Sequence, residues 1–393
     1  MSKTPNSSIV KITLMVVSTL TVMASATIAP SLPVMREHFA DVANADYLVR
    51  LVLTAPSLFV AIGAPFAGVI IDQLGRKPLL MIALLVYGLA GSSGVWLNSL
   101  GLILLGRALL GLSVAGIMIT ATTLIADYYT GSTRTKFLGL QSAAMSLGGV
   151  VFLSLGGFLA DITWRMPFLI YLVALLLLPL VLLLLPEPNR TSQSTTSQSS
   201  SDEPVDLPLK LVGLTYIIAL LTQMVFYMIP VQLPFHLRTL TNATASQSGL
   251  AIALATLFAA ISSLSYQQIK ARFTFIRIYA LAYISMGVGY GIIGLASGFA
   301  IVLLGLAIAG FGLGLIVPNM NLCLTSISPG VLRGRVLSGL TTCFFLGQFI
   351  SPLLSQPLSQ VVGLSTAYGL AGILLVVIAL VTVAVMSQHK QPA

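Results

Sequence analysis

Residues 48–97 read LVRLVLTAPSLFVAIGAPFAGVIIDQLGRKPLLMIALLVYGLAGSSGVWL. Two apolar runs, 48–71 and 79–97, flank one short polar break, Asp72-Gln-Leu-Gly75-Arg76-Lys77. Each run has about the length a helix needs to cross a bilayer, roughly 20 residues. Inside hydrocarbon every backbone N–H and C=O needs an internal partner, and an α-helix supplies it within one segment. Runs this long and this rich in leucine read as helices, not as the short alternating strands of a barrel. The stretch is a helical hairpin through a membrane.

The same reading extends along the chain. Four more runs, 12–34, 100–126, 137–160 and 167–185, complete the first half. Six follow in the second half: 209–235, 249–266, 275–296, 299–324, 336–358 and 366–386. The expected fold class is an all-α integral membrane protein of twelve transmembrane helices in two six-helix pseudo-repeats. Of 393 residues 57% are hydrophobic and 7% charged, too few charges to cover a soluble domain of this size.

The net charge of +9 sits between the apolar runs. With the N-terminus inside, fourteen Lys and Arg fall on the inner side and Arg36, Arg50, Arg165 and Arg238 on the outer side, while Arg107 alone falls within a span. That bias places a multi-pass protein in the cytoplasmic (inner) membrane with both termini in the cytoplasm. It also accounts for the basic charge without a nucleic-acid partner. The first apolar run reads as an uncleaved span and not a signal peptide. Cys323 and Cys343 lie inside apolar runs, and no CxxC or HExxH pattern occurs, so no metal, disulfide or cofactor is expected.

Residues 1–186 and 209–393 form the two expected bundles. Residues 187–208, which contain TSQSTTSQSSSDEP, form a flexible cytoplasmic linker. An internal repeat supports the division. Leu104-Leu105-Gly106-Arg107-Ala108 recurs as Leu303-Leu304-Gly305-Leu306-Ala307, and Gly131, Arg134, Lys136 and Gly148 recur as Gly330, Arg333, Arg335 and Gly347. Every pair is offset by the same 199 residues (106 to 305). Parallel repeats about an axis normal to the membrane, with a site between them, are a transporter architecture.

Gly68-x-x-x-Asp72-x-x-Gly75-Arg76-Lys77 resembles the signature of the major facilitator superfamily, and it stands in the expected loop between spans two and three. The resemblance implies a conformational gate built from Gly68, Asp72, Gly75, Arg76 and Lys77, with Asp127 at the inner end of span four as the partner acid. The corresponding second-half loop, 263–277, keeps only its positive charge. Arg107, followed by small residues through Gly116, resembles the family's second motif. Arginine inside a bilayer is costly and is expected to face the bundle interior. Gly148-x-x-x-Phe152-Leu153-x-x-Gly156-Gly157 partly resembles the antiporter motif, with Phe152-Leu153 where the family has Gly-Pro. Its repeat partner holds Gly347 and Pro352. These glycines and the proline are assigned to helix packing.

The family's pore-lining spans one, four, seven and ten direct the cavity assignment. Thr21 and Ser25 share a face of span one with Ser18, and Tyr216, Gln223 and Tyr227 share a face of span seven. Thr120 and Asn319 are repeat partners in spans four and ten, and Arg107 completes the set. For the hydroxyls a rival reading is a bond to their own helix backbone. The resemblance to the twelve-helix drug and metabolite exporters implies a secondary active carrier that moves a small organic molecule by alternating access. It implies export, with proton antiport as the usual coupling, and a functional monomer in the lipid bilayer. A proton-coupled importer and a non-transporting receptor on the same fold are the rival readings. No catalytic residues are assigned, because neither paired carboxylates nor a histidine cluster falls at matching depth. All ten acids lie in loops or at span ends. Arg107 cannot release a proton to compete with a cation, so the expected substrate is neutral, zwitterionic or anionic.

A reporter fused after Ala393 and one inserted at Thr195 are both expected to signal from the cytoplasm. An external signal at Thr195 would break the count of spans.

Overall fold

The computed structural model describes residues 7–187, 208–329 and 332–387. The expected linker, 187–208, lies almost wholly outside the described residues, as do Thr195, Gly330 and both chain ends. Among the described residues, twelve helical spans are long and apolar enough to cross a membrane. They are α1 Ser8–His38, α2 Ala45–Leu74, α3 Arg76–Val95, α4 Leu100–Tyr128, α5 Gly131–Ile162, α6 Met166–Leu184, α7 Leu209–Thr241, α8 Ala245–Leu264, α9 Phe275–Gly294, α10 Phe299–Ile327, α11 Arg333–Val362 and α12 Leu364–Ala384. No strand occurs among the described residues. We call the side that carries the ends of α6 and α7 next to the linker the terminal face, and the other side the opposite face.

Local chemistry explains the turns. Asn44 and Asn242 adopt left-handed backbone, at φ 60° and 53°, just before α2 and α8, a conformation that asparagine tolerates. Thr244 and Gln247 then form a reciprocal capping box at the start of α8. Gly75, at φ 99°, makes the sharp turn from α2 into α3 that a residue with a Cβ would resist.

The first span of each half is broken at equivalent depth. In α1 the regular helix ends at Ala26 and resumes through a 3-10 turn at Ala29–Ser31, beside Pro30 and Pro33. In α7 the break is at Tyr227, ahead of Pro230 and Pro234. Proline removes an N–H and clashes with the preceding turn, which frees carbonyls in a medium without water. Tyrosine hydroxyls from neighbouring spans donate to carbonyls near each break, and Tyr290 also reaches Phe226 O, the carbonyl that Pro230 leaves without its helical N–H, at 3.3 Å. Tyr87 and Tyr171 donate to Leu20 O and Ala24 O, at 2.7 and 3.0 Å. In the second half Tyr290 and Tyr368 donate to Val225 O and Met228 O, at 2.7 and 2.9 Å.

The halves meet along two seams, α5 against α8 and α2 against α11. In the first seam the backbones touch. A Cβ on Gly157 would stand 2.8 Å from Ala245 O, and one on Gly249 would stand 2.6 Å from Leu153 O. Asp161, at the end of α5, accepts from the N–H groups of Ala245 and Ser246 at 2.8 and 3.2 Å. It thereby caps the first turn of a helix in the other half. In the second seam Ser57 bonds Gln348 and Tyr47 bonds Gln360. All of these contacts lie from mid-membrane to the opposite face. Toward the terminal face the first turns of α5 are exposed on nearly every side.

Gly157→Val would place methyl groups on the Ala245 carbonyl. It is expected to hold the opposite face open, so that cysteines placed at Tyr47 and Gln360 lose their cross-link. An undiminished cross-link would contradict the packing argument.

Candidate functional site

Near mid-membrane the seam between the halves carries hydroxyls and amides. Ser57 of α2 donates to Gln348 Oε1 of α11 at 2.8 Å. Tyr227, at the break in α7, lies near the hydroxyls of Ser25 in α1 and Ser57 in α2. Gln223, one turn earlier on α7, is 7% exposed and lies against Gly347, beside Gln348. Its Oε1 has no hydrogen-bond partner. An unmet buried amide group costs about 1–3 kcal/mol, so a donor from water or from a ligand would be favoured there. Thr21 stands one turn before Ser25. The two hydroxyls bond their own helix, at Ser18 O and Val22 O. The structure thus gathers Ser25, Gln223 and Tyr227 at the seam and adds Ser57 and Gln348, which the sequence reading did not single out.

Four other cavity candidates lie elsewhere. Arg107 is fully enclosed within the first half, its guanidinium 4.8 Å from the ring centroids of both Phe168 and Tyr171. None of its nitrogens has a hydrogen-bond partner. Thr120 is fully buried with an unpartnered hydroxyl, one turn from Gly116, which packs on Ala83 of α3. Asn319 is fully buried in the second half. It accepts from the Tyr266 hydroxyl at 3.0 Å and donates to Phe275 O at 3.1 Å, tying α10 to the connection between α8 and α9. Tyr216 donates to Val336 O of α11 at 2.7 Å, toward the terminal face. In this conformation Arg107, Thr120 and Asn319 therefore stand behind the seam. The cause is helical register: Thr120 shares the α3-facing side of α4 with Gly116, Asn319 shares the α9-facing side of α10 with Gly312, and Arg107 faces Phe168 and Tyr171 of α6.

At the terminal face Arg76 Nε pairs with Asp127 Oδ2 at 3.1 Å, with side-chain exposures of 12% and 6%. Glu187 accepts from the N–H groups of Arg76 and Lys77 at 2.8 and 2.7 Å, so its carboxylate covers the positive end of α3. Lys77 Nζ donates to Leu182 O at 2.6 Å, and the Tyr128 hydroxyl donates to Pro186 O. Asp72 is exposed on the last turn of α2. Gly68 has open space beside it. The sequence reading placed Glu187 in the linker. No local pattern marks it as a cap, because its partners are more than a hundred positions away.

The packing residues join α5 and α11 to the broken helices. Gly148 faces Thr19, Gly156 faces the Thr27 carbonyl, and Gly347 faces the Leu220 carbonyl of α7. Pro352 is buried within α11. On the opposite face the sequence counts Arg50 among the outer-side charges. It is instead 4% exposed, where α2 meets α7. It donates through Nε to Gln232 Oε1 at 3.0 Å and lies 3.9 Å over the Phe235 ring. Gln232 passes the network to Ser355 and Gln356. Glu37 and Arg238 pair across the halves at 2.8 Å.

A family model described as Major Facilitator Superfamily matches residues 14–213 and 215–393. Among curated relatives, Multidrug resistance protein 1 of Bacillus subtilis (strain 168) is 32% identical over 159 residues, covering 39% of this chain and 41% of the relative. Quinolone resistance protein NorA of Staphylococcus aureus is 28% identical over 137 residues, 35% of each chain. These matches span about two-fifths or less of the relatives' length. Among solved structures, a D-xylose–proton symporter superposes with a TM-score of 0.80 at 17% identity, covering 95% of this chain and 96% of the other. A bacterial homolog of the human lysosomal transporter Spinster gives 0.76 at 17% identity over the whole of both chains. The human organic anion transporter MFSD10 gives 0.69 at 19%, covering 95% and 99%. At these identities the structures share a fold.

Replacing Asp127 with Ala strips a nearly buried arginine of its counter-charge and is expected to cost about 3–5 kcal/mol of stability. Glu187→Gln weakens an exposed cap and is expected to cost about 0.5–1 kcal/mol. Denaturant unfolding in detergent measures both. Equal small losses would contradict the buried pairing.

Proposed function

We infer, because the chain belongs to the Major Facilitator Superfamily, that it is a secondary active exporter moving a small organic molecule by alternating access. The observation that carries this reading is the asymmetry of the seam. The polar and glycine contacts between the halves run from mid-membrane to the opposite face, while on the terminal face the first turns of α5 and α11 are exposed. A carrier of this build exposes its mid-membrane groups to one side at a time. On the charge rule the terminal face is cytoplasmic, which makes this conformation inward-open. Export is supported by the likeness to two proteins named for drug resistance. An importer of the same fold is the rival, supported by the likeness to a xylose–proton symporter.

The proposed substrate is neutral, zwitterionic or anionic. The seam offers Ser25, Ser57, Gln223, Tyr227 and Gln348, which hydrogen-bond without carrying charge. The seven acids among the described residues all stand at or beyond helix ends. Discrimination at such a site comes from matching donors and acceptors, since an unmatched buried amide or hydroxyl is costly. Arg107, stacked on Phe168 and Tyr171, would act through the packing of the first half in this conformation. Protons, if coupled, would be carried by an acid at a span end or by the substrate itself.

The gate assignment follows from Asp72. In this conformation it is exposed at the terminal face. Closing that face would bring it toward the basic start of α11, at Arg333 and Arg335. Asp72 is proposed to bias the equilibrium between the two states, not to touch substrate.

Thermal shift against a panel of neutral, anionic and cationic compounds identifies the ligand through its stabilisation of the folded state. Neutral or anionic compounds are expected to stabilise. Asp72→Asn is expected to slow transport of the identified compound while leaving insertion and its thermal shift intact. Proton-driven efflux of a permanent cation such as ethidium would contradict the proposed substrate class.

A further inference from the structure

The two seams that close the opposite face repeat one another contact for contact. Ser57 meets Gln348, and with both partners moved by 199 positions Thr256 meets Gly149, at 3.4 Å from a Cβ built on the glycine. Tyr47 meets Gln360, and likewise Ser246 meets Asp161. Between these two rungs the seams differ. The α5–α8 seam has Gly157 against Gly249, each so close to the other's backbone that no side chain fits. At the same register the α2–α11 seam has Gln356 and Arg50.

That substitution changes what the seam is made of. Arg50 bonds Gln232 through Nε at 3.0 Å and the Asp46 carbonyl through Nη1 at 2.7 Å. Gln232 Nε2 continues to Ser355 Oγ at 3.2 Å and Gln356 Oε1 at 3.1 Å. The bonds that cross between the halves here, Arg50 to Gln232 of α7 and Ser57 and Tyr47 to Gln348 and Gln360 of α11, are all made by side chains, and water can take either partner's place at little enthalpic loss. The glycine seam has no such exchange, because separating it exposes closely packed backbone. The charges differ as well. Arg36, Asp46 and Arg50 form one chain, with Arg36 on Asp46 at 3.0 Å and Arg50 on Asp46 at 3.7 Å. One net positive charge is left at the α2–α11 seam. At the α5–α8 seam the facing charge is the Asp161 carboxylate, held on the first turn of α8.

We propose that the opposite face opens between α2 and α11, and that Arg50 lines the resulting mouth as a charge filter that admits neutral and anionic solutes and holds back cations. The proposal rests on the carrier reading but not on the direction of transport, since a solute leaving or entering crosses the same mouth. When Gln232 swings away with the second half, Arg50 stays with α2 and keeps its bond to the Asp46 carbonyl, so the guanidinium is left on the wall of the opening. A cleft lined by one sign of charge raises the local concentration of the opposite sign.

Charged thiol reagents read this out without a known substrate. In the full chain carrying Cys323→Ala and Cys343→Ala, single cysteines are placed at the two equivalent rungs, Ser57→Cys and Thr256→Cys. An anionic and a cationic methanethiosulfonate are then applied from the opposite face, each rate being divided by that with free thiol. Ser57→Cys is expected to react about tenfold faster than Thr256→Cys, and about tenfold faster with the anionic reagent than with the cationic one. Adding Arg50→Gln is expected to abolish the charge preference, and adding Arg50→Lys to retain it, which separates lost charge from lost packing. Thr256→Cys reacting as fast as Ser57→Cys, or a preference that survives Arg50→Gln, would overturn the proposal while leaving the carrier reading intact. If neither cysteine reacts from that face, the face does not open, and the proposal and the carrier reading fail together.

Discussion

The contact of α5 with α8 at Gly157 and Gly249 sets the geometry on which the rest of the structure depends. Both residues lack a Cβ, so two helices from different halves touch backbone to backbone. Association inside a bilayer has no aqueous hydrophobic drive, and close approach by small residues is the main source of attraction between helices. Asp161 adds a charge-assisted bond to the first turn of α8, just beyond the glycines. With this seam fixed, the distance between the halves on the opposite face follows. So does the reach of the Ser25–Tyr227–Ser57–Gln348 group at mid-membrane.

A second constraint governs where polar atoms go. The proline-bearing breaks in α1 and α7 give the site its irregular wall, and they leave carbonyls that hydrocarbon cannot solvate. Four tyrosines, two in each half, donate to carbonyls at or near the breaks and are buried to their hydroxyls. The breaks are therefore part of a two-fold design, and Tyr227 stands at one of them beside the Ser57–Gln348 bond that crosses the seam. At the terminal face the same economy appears in Arg76–Asp127 and Glu187, which neutralise one another and the end of α3.

Much of the fold was legible because a lipid-embedded helix needs length and apolarity, and both are local. The hairpin at 48–97, the twelve spans and the 199-residue repeat follow from those two properties. The turn between α2 and α3 was legible because Gly75 and its charged neighbours sit within ten residues. The site was legible only in part. Ser25, Gln223 and Tyr227 share faces that periodicity reveals. Arg107, Thr120 and Asn319 also satisfy periodicity, but periodicity does not say which neighbour a face meets, and theirs meet α3, α6 and α9. Arg50, Ser57 and Gln348 gain their meaning from partners in the other half, nearly 200 or 300 positions away. Glu187 is a cap only because α6 returns to the start of α3. A positive charge near a span end has an ordinary reading as a topogenic loop residue, which is why Arg50 stayed hidden.

The central claim is that the two faces open in alternation about the mid-membrane group. Two pairs of spin labels test it most directly, one at Ala40 and Thr239 on the opposite face and one at Ser142 and Ser338 on the terminal face, in protein reconstituted in bilayers. All four positions are exposed. The account requires a short distance at Ala40–Thr239 and a long one at Ser142–Ser338 in one population. It also requires a second population with the two reversed, so that any stabilising ligand shifts both pairs in opposite senses. Distances that move together, or a terminal-face pair that never shortens while transport proceeds, would contradict it.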